Sequence, residues 1–157
     1  MFTDTQFTAL AEKYIDTVFR LAFSYLKNCD DANDIVQNVF LKLYCQRKPF
    51  DGEPHIRNWL IRVTINECKN CLRASWRRDE SFEEYAGSLS FDAPEHNALF
   101  HAVMSLPKRY RLPLYLHYYE GYSTTETAQI LKIPKGTVCT NLKRGREMLK
   151  ELLQECD

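Results

Sequence analysis

Within one short stretch the chain carries Lys135, Thr137, Cys139, Thr140, Asn141, Lys143, Arg144 and Arg146, with short polar groups first and cations concentrated after them. On a helix, that order is chemistry for DNA: the short groups reach base edges in a major groove and the cations hold phosphates. It is recognition chemistry, with no covalent step. A second constellation, Cys68-Lys69-Asn70-Cys71, has the Cys-x-x-Cys spacing of a metal or redox site. No second Cys pair or His pair follows at zinc-site spacing and the segment reads as helix, so reduced structural thiols are the better reading. A third is the run from Arg57 to Arg78, where six Lys and Arg stand against a single acid, Glu67.

A lone cationic helix is more often a solvated surface than a DNA reader, so the elements around it decide. Ser123 and Glu126 have the Ser-x-x-Glu spacing of a capping box, in which serine oxygen and glutamate satisfy backbone donors at a helix start. Ala128, Ile130 and Leu131, then Ile133, Val138, Leu142 and Leu149, close two short helices on each other. Between them Lys132-Ile133-Pro134 interrupts the pattern, because proline lacks an N–H and pushes the residue before it out of the helical region. Pro134 then suits the first turn of the second helix. Gly121 to Leu149 therefore reads as a helix-turn-helix with a basic second helix.

The formal net charge of the 157 residues is zero, which looks wrong for a DNA binder until the charges are located. Lys132 to Lys150 holds six cations against Glu147, while Asp79 to His96 holds six acids and no Lys or Arg. Two basic blocks around an acidic segment predict two nucleic-acid surfaces and a linker. A composition of 45% hydrophobic and 13% aromatic residues suffices for packed cores, in one domain or two small ones. No run of about 18 apolar residues exists, and MFTDTQFTAL lacks the basic start and apolar core of a signal peptide. The expectation is a cytoplasmic protein with no direct membrane insertion.

Upstream, Leu10, Tyr14, Val18, Leu21, Ala22 and Tyr25 recur at helical spacing over Phe2 to Leu26, and Asn28-Cys29-Asp30-Asp31 breaks the pattern. In DANDIVQNVFLKLY a stripe of Ile35, Val36, Val39, Phe40, Leu43 and Tyr44 leaves Asp34, Gln37, Asn38, Leu41 and Lys42 facing partly outward. Lys48 to Pro54 is a loop by its turn residues. A long helix follows from Ile56 to Trp76, with Trp59, Leu60, Val63 and Leu72 available to the core. Ala98 to Leu106 and Lys108 to Glu120 read as helices, and Pro113 should kink the second or mark its true start.

Taken together, the two blocks resemble the sigma-70 family of bacterial RNA polymerase sigma factors, specifically the extracytoplasmic-function (ECF) group, over nearly the whole chain. DANDIVQNVFLKLY looks like that family's core-polymerase-binding helix, and FDGEPHIRNWLIRVTINECKNCLRASWRR like its element that recognises and melts the minus-10 sequence. LPKRYRLPLYLHYYEGYSTTETAQILKIPKGTVCTNLKRGREMLKELL is similar to its minus-35-binding domain. The resemblance implies an all-α chain of two small helical domains: a region 2 bundle over 1–78, an acidic linker over 79–97, and a region 4 helix-turn-helix over 98–157.

It also implies roles. Asp34, Gln37, Asn38 and Leu41 would contact core polymerase, through its beta-prime and beta subunits. Phe50, Asp51 and His55, with Gly52 and Glu53 between them, match the loop that accepts a flipped base, and Asn66 matches a position lining that pocket. Trp59 matches the family tryptophan, core in preference to a DNA stack, and Arg62, Lys69, Arg73, Arg77 and Arg78 would track phosphates. Lys135, Thr137, Cys139, Thr140, Lys143, Arg144 and Arg146 would meet the minus-35 element. The implied partners are RNA polymerase core, promoter DNA and an anti-sigma factor, with no cofactor, metal or enzymatic activity.

Departures lie in the basic helix. Cys139-Thr140-Asn141 stands where the family often has a basic residue and then Ser-Arg, which leaves fewer bidentate guanine contacts. Lys132 replaces the usual turn glycine and Gly145 a frequent alanine, each at roughly 1 kcal/mol. Promoter sequence therefore does not carry over. The alternative is a stand-alone helix-turn-helix regulator with an N-terminal sensor or dimerisation domain, which has no reason to carry the aromatic and basic Phe50–Arg78 block.

Overall fold

The computed structural model describes residues 2–74 and 94–155, and every regular element among them is helical. The chain divides into two compact units, Met1–Ser81 and Phe82–Asp157. Most of the acidic segment expected as a linker, with Trp76, Arg77 and Arg78, lies outside the described residues.

The first unit packs α1 (Asp4–Leu26), α2 (Cys29–Cys45) and α3 (Glu53–Ala74) around one core. A Thr3–Gln6 capping box opens α1: Gln6 N–H donates to Thr3 Oγ1 at 3.1 Å and Thr3 N–H to Gln6 Oε1 at 3.0 Å. Lys27 ends the helix in the left-handed region at φ 50°, and Asn28 caps α2 by accepting Asp31 N–H at 2.9 Å. The break is thus shorter than the sequence pattern predicts. Cys29, Asp30 and Asp31 belong to α2, where the two carboxylates face the positive end of the helix dipole. Val18, Leu21, Phe23, Val39, Leu43, Leu60, Ile61, Ile65 and Cys68 fill the core. Each fully buried Leu, Ile or Phe is worth about 1.5–3 kcal/mol, against about 0–1 kcal/mol for a surface ion pair, so this shared core holds the bundle. Two residues expected inside are not: Tyr44 is 48% exposed and Leu72 37%.

The second unit comprises α4 (Pro94–Met104), α5 (Lys108–Leu114), a π-helical turn (Tyr115–Tyr119), α6 (Thr124–Leu131) and α7 (Lys135–Glu155). Helix α4 opens at Pro94, ahead of the expected Ala98. Pro113 neither starts nor ends α5; the helix runs through it and widens into the π-helical turn, as expected where a donor is missing. Phe100 meets Tyr115 and Tyr119 edge-on with centroids 6.0 and 5.6 Å apart, which locks α4 to that turn. The buried Arg111 donates from Nη1 to Leu106 O at 2.9 Å, placing a cation just past the carbonyl end of α4.

The Ser123–Glu126 capping box forms as the spacing predicts, with reciprocal bonds of 3.0 and 3.1 Å. Lys132 takes the left-handed conformation, φ 58°, that its place in the turn requires. Pro134 stands just ahead of α7, its carbonyl accepting Val138 N–H at 3.2 Å, one residue before the position the sequence assigned it.

Candidate nucleic-acid interface

On α2, Asp34, Gln37, Asn38 and Leu41 recur at i, i+3, i+4 and i+7 and are all exposed, so they form one outward stripe. Ile35, Val36, Val39, Phe40 and Leu43 are buried on the other side. Leu41 is 62% exposed, a large apolar side chain among polar neighbours. Lys42, beside the stripe, pairs with Glu67 of α3.

Helix α3 carries a second stripe. His55, Trp59, Arg62, Asn66, Lys69 and Arg73 follow one another at steps of three and four, so they share a face about 27 Å long. His55, Arg62, Asn66 and Arg73 are exposed; Trp59 and Lys69 are half-buried. The opposite face carries Ile56, Leu60, Ile61, Thr64, Ile65 and Cys68 into the core. Cys71 lies one turn beyond Cys68 and is half-buried.

The stripe begins at the loop before α3, which is built rather than loose. Gly52 turns it at φ 93°, a region closed to most side chains. Asp51 N–H donates to His55 Nδ1 at 3.0 Å, so Nε2 bears the proton of the neutral ring. Phe50 stacks on Phe2 with centroids 5.9 Å apart and meets His55 and Trp59 edge-on at 5.0 and 5.7 Å. Phe50 and Trp59 thereby support each other, and Asp51 and His55 are both exposed. Glu53 turns away from them: Lys13 Nζ and Tyr14 OH, both on α1, donate to its Oε1, the latter at 2.8 Å. The Lys13 bond first, and the Tyr14 bond second, hold the Glu53 carboxyl below the usual glutamate range. No sequence signal pointed to this contact.

In the second unit Lys135, Thr137, Cys139, Thr140, Lys143, Arg144 and Arg146 are all exposed on α7, while Val138, Leu142, Gly145 and Leu149 are buried. Gly145 has a packing reason: a Cβ there would lie 2.7 Å from Leu114 Cδ1. The residue that looked like a lapse in helix propensity lets α7 approach α5 closely. Arg146 lies about 10 Å along the axis from Cys139 and donates from Nη1 to Tyr118 OH at 3.0 Å. It borders a groove of ≈ 480 Å³ lined also by Leu99, Tyr118, Leu149, Lys150 and Leu153. Arg146 continues the Cys139 and Lys143 face one turn further along α7 and stands at the rim of an apolar surface that periodicity alone did not reveal.

Among the described residues, no helix is long and apolar enough to cross a membrane. Residues 10–78 match the family model of sigma-70 region 2 and residues 96–149 that of sigma-70 region 4. The region 2 match occupies the stretch that the stand-alone-regulator reading gave to a sensor. The chain is 30% identical to the ECF RNA polymerase sigma-E factor of Haemophilus influenzae, over 94% of this chain and 87% of that protein. It is 29% identical to the ECF RNA polymerase sigma factor SigW of Bacillus subtilis, over 95% and 89% of the two. Its fold is similar to that of the sigma factor RpoE of Bartonella quintana, solved in complex with the anti-sigma factor NepR, at TM-score 0.65 and 20% identity over 93% of this chain and 97% of that one. CnrH, solved with the cytosolic domain of CnrY, gives TM-score 0.61 at 22% identity over 99% and 92%. With both sigma regions matched in order on an all-helical, two-unit chain, this protein belongs to the ECF group of the sigma-70 family and acts as a sigma factor in transcription initiation.

Proposed function

We propose that α2 docks on RNA polymerase core through Asp34, Gln37, Asn38 and Leu41, an exposed leucine ringed by polar groups that suits a mixed interface. Helix α3 then takes the minus-10 strand. Phe50 and Trp59 shape its upper end, Asp51, His55 and Asn66 offer donors and acceptors to an unstacked base, and Arg62, Lys69 and Arg73 follow the phosphates. Extruding a base costs a few kcal/mol, which edge hydrogen bonds and stacking offset. On α7, Lys135, Thr137, Cys139, Thr140, Lys143, Arg144 and Arg146 read or grip the minus-35 element.

The observation that carries this reading is the continuous α3 face that joins the braced aromatic loop to a cationic stripe, opposite the core. The protein positions DNA and performs no covalent chemistry. The 1–78 and 98–157 segments serve as the two grips, with 79–97 as linker. The cytoplasm, where the polymerase works, is the expected compartment. An anti-sigma partner is inferred from the complex with an anti-sigma factor in which the similar RpoE was solved. Run-off transcription with purified core polymerase and genomic fragments tests the whole: initiation from discrete promoters is expected. A protein that failed to bind core at all would sink it.

A further inference from the structure

The loop that α3 presents to DNA is braced along its length from α1 and from Phe2 just ahead of it. Phe7 meets Tyr44 edge-on at 5.1 Å where α2 ends, Phe2 stacks on Phe50 within the loop, and Lys13 and Tyr14 bind Glu53 where α3 begins. The last of these joins residues 39 and 40 positions apart in sequence. The Tyr14 ring is 6% exposed and belongs to the core, which a phenylalanine would fill equally well. Its hydroxyl is aimed at the Glu53 carboxylate instead. Glu53 follows directly on Gly52, which turns the loop at φ 93°, so the clamp fixes the chain immediately beyond that turn. A site that reads a base must hold its groups within about 0.5 Å of the productive geometry, a demand that a loop meets only when a supporting shell braces it.

We propose that α1 helps set base selectivity, with Tyr14 and Lys13 as positioning residues that hold the Phe50–His55 loop, through Glu53, in the geometry that captures a flipped base. This rests on the reading of that loop as the base-capturing element.

Holoenzyme reconstituted from core polymerase and the full chain, transcribing a promoter library randomised in both the minus-10 and minus-35 elements, tests it. Tyr14→Phe is expected to lower base discrimination at one minus-10 position by about three- to tenfold, the effect of one hydrogen bond. Core affinity and minus-35 preference should stay as in the wild type. Glu53→Ala should do the same, and adding Tyr14→Phe to it should change nothing further. Glu53→Gln keeps an acceptor for the tyrosine and should restore part of the discrimination. If His55→Ala shifts the preference and Tyr14→Phe does not, the clamp is refuted while the base-capture reading stands. If neither shifts it, both fall. An equal loss of selectivity at minus-35 would reduce Tyr14 to a structural role and overturn the inference. Should Tyr14→Phe melt early, Lys13→Met on the exposed side of the clamp must shift the same position, and unchanged selectivity there is equally fatal.

Discussion

Replacing Gly145 with alanine is expected to loosen the helix-turn-helix, while Gly136→Ala on the same helix tightens it. The new Cβ at Gly145 would lie 2.7 Å from Leu114 Cδ1, 3.2 Å from Leu114 Cγ and 3.5 Å from Tyr110 Cβ. Carbon pairs prefer about 3.5–4.0 Å, so the first two contacts are repulsive. Leu114 is 1% exposed and Tyr110 5%, so neither can swing into solvent to make room. Overpacking of this kind costs about 1–3 kcal/mol, whereas exchanging glycine for alanine in a helix returns at most about 1 kcal/mol. The steric term wins, for a net loss of about 1 kcal/mol. A Cβ at Gly136 meets nothing within 4 Å, so only the propensity gain applies, reduced because the residue lies in the first turn of α7. Hydrogen exchange of the α7 amides in the full chain reads this unit separately from the first. Faster exchange is expected for Gly145→Ala and slower exchange for Gly136→Ala. If Gly145→Ala exchanged as slowly as the wild type, the close-approach argument would be wrong.

Arg144→Ala should weaken binding to minus-35 duplex and, if the guanidinium holds a phosphate, reduce the salt slope by about one; a salt titration with unchanged affinity and slope removes Arg144 from the interface. Asn66→Ala should relax preference at a single minus-10 position with core binding intact, and loss of core binding would point to damage in α3 instead. Leu41→Asp should weaken core binding by about tenfold or more without lowering the melting temperature, since the side chain is 62% exposed; unaltered core affinity would refute the contact. The folded-state pKa of Glu53 is lowered, so its clamp contributes fully above the ordinary glutamate range and is lost as pH falls through the folded value. The melting temperatures of wild type and Glu53→Gln should therefore converge on acidification, and a gap that stayed constant in a pH series of melts would contradict the assignment.

Local signals carried most of the fold. The Ser123–Glu126 box and the left-handed Lys132 are each written within a few consecutive residues and appear as read, and most of the apolar periodicity is buried as its spacing predicts. What periodicity cannot supply is how far a neighbouring helix covers a face, and Tyr44 and Leu72 are exposed for that reason. The Tyr14–Glu53 bond spans 39 residues and depends on how α1 crosses α3, which no spacing encodes. Phe50 is braced by Phe2, far off at the start of the chain, and by Trp59 inside α3, contacts that no local spacing encodes. Gly145 looked like a cost when judged by helix propensity alone; the reason for it sits on another helix, at Leu114.

The Lys42–Glu67 pair has a consequence that reaches past its own small energy. It ties the helix with the Asp34–Leu41 stripe to the helix with the Arg62–Arg73 stripe, and both helices share one close-packed core. Any factor by which a ligand on one face changes the affinity of the other face for its own ligand is returned in full by the second ligand to the first. Lys42→Ala, measured with both ligands present against each alone, tests whether the two surfaces of the first unit are coupled through this pair.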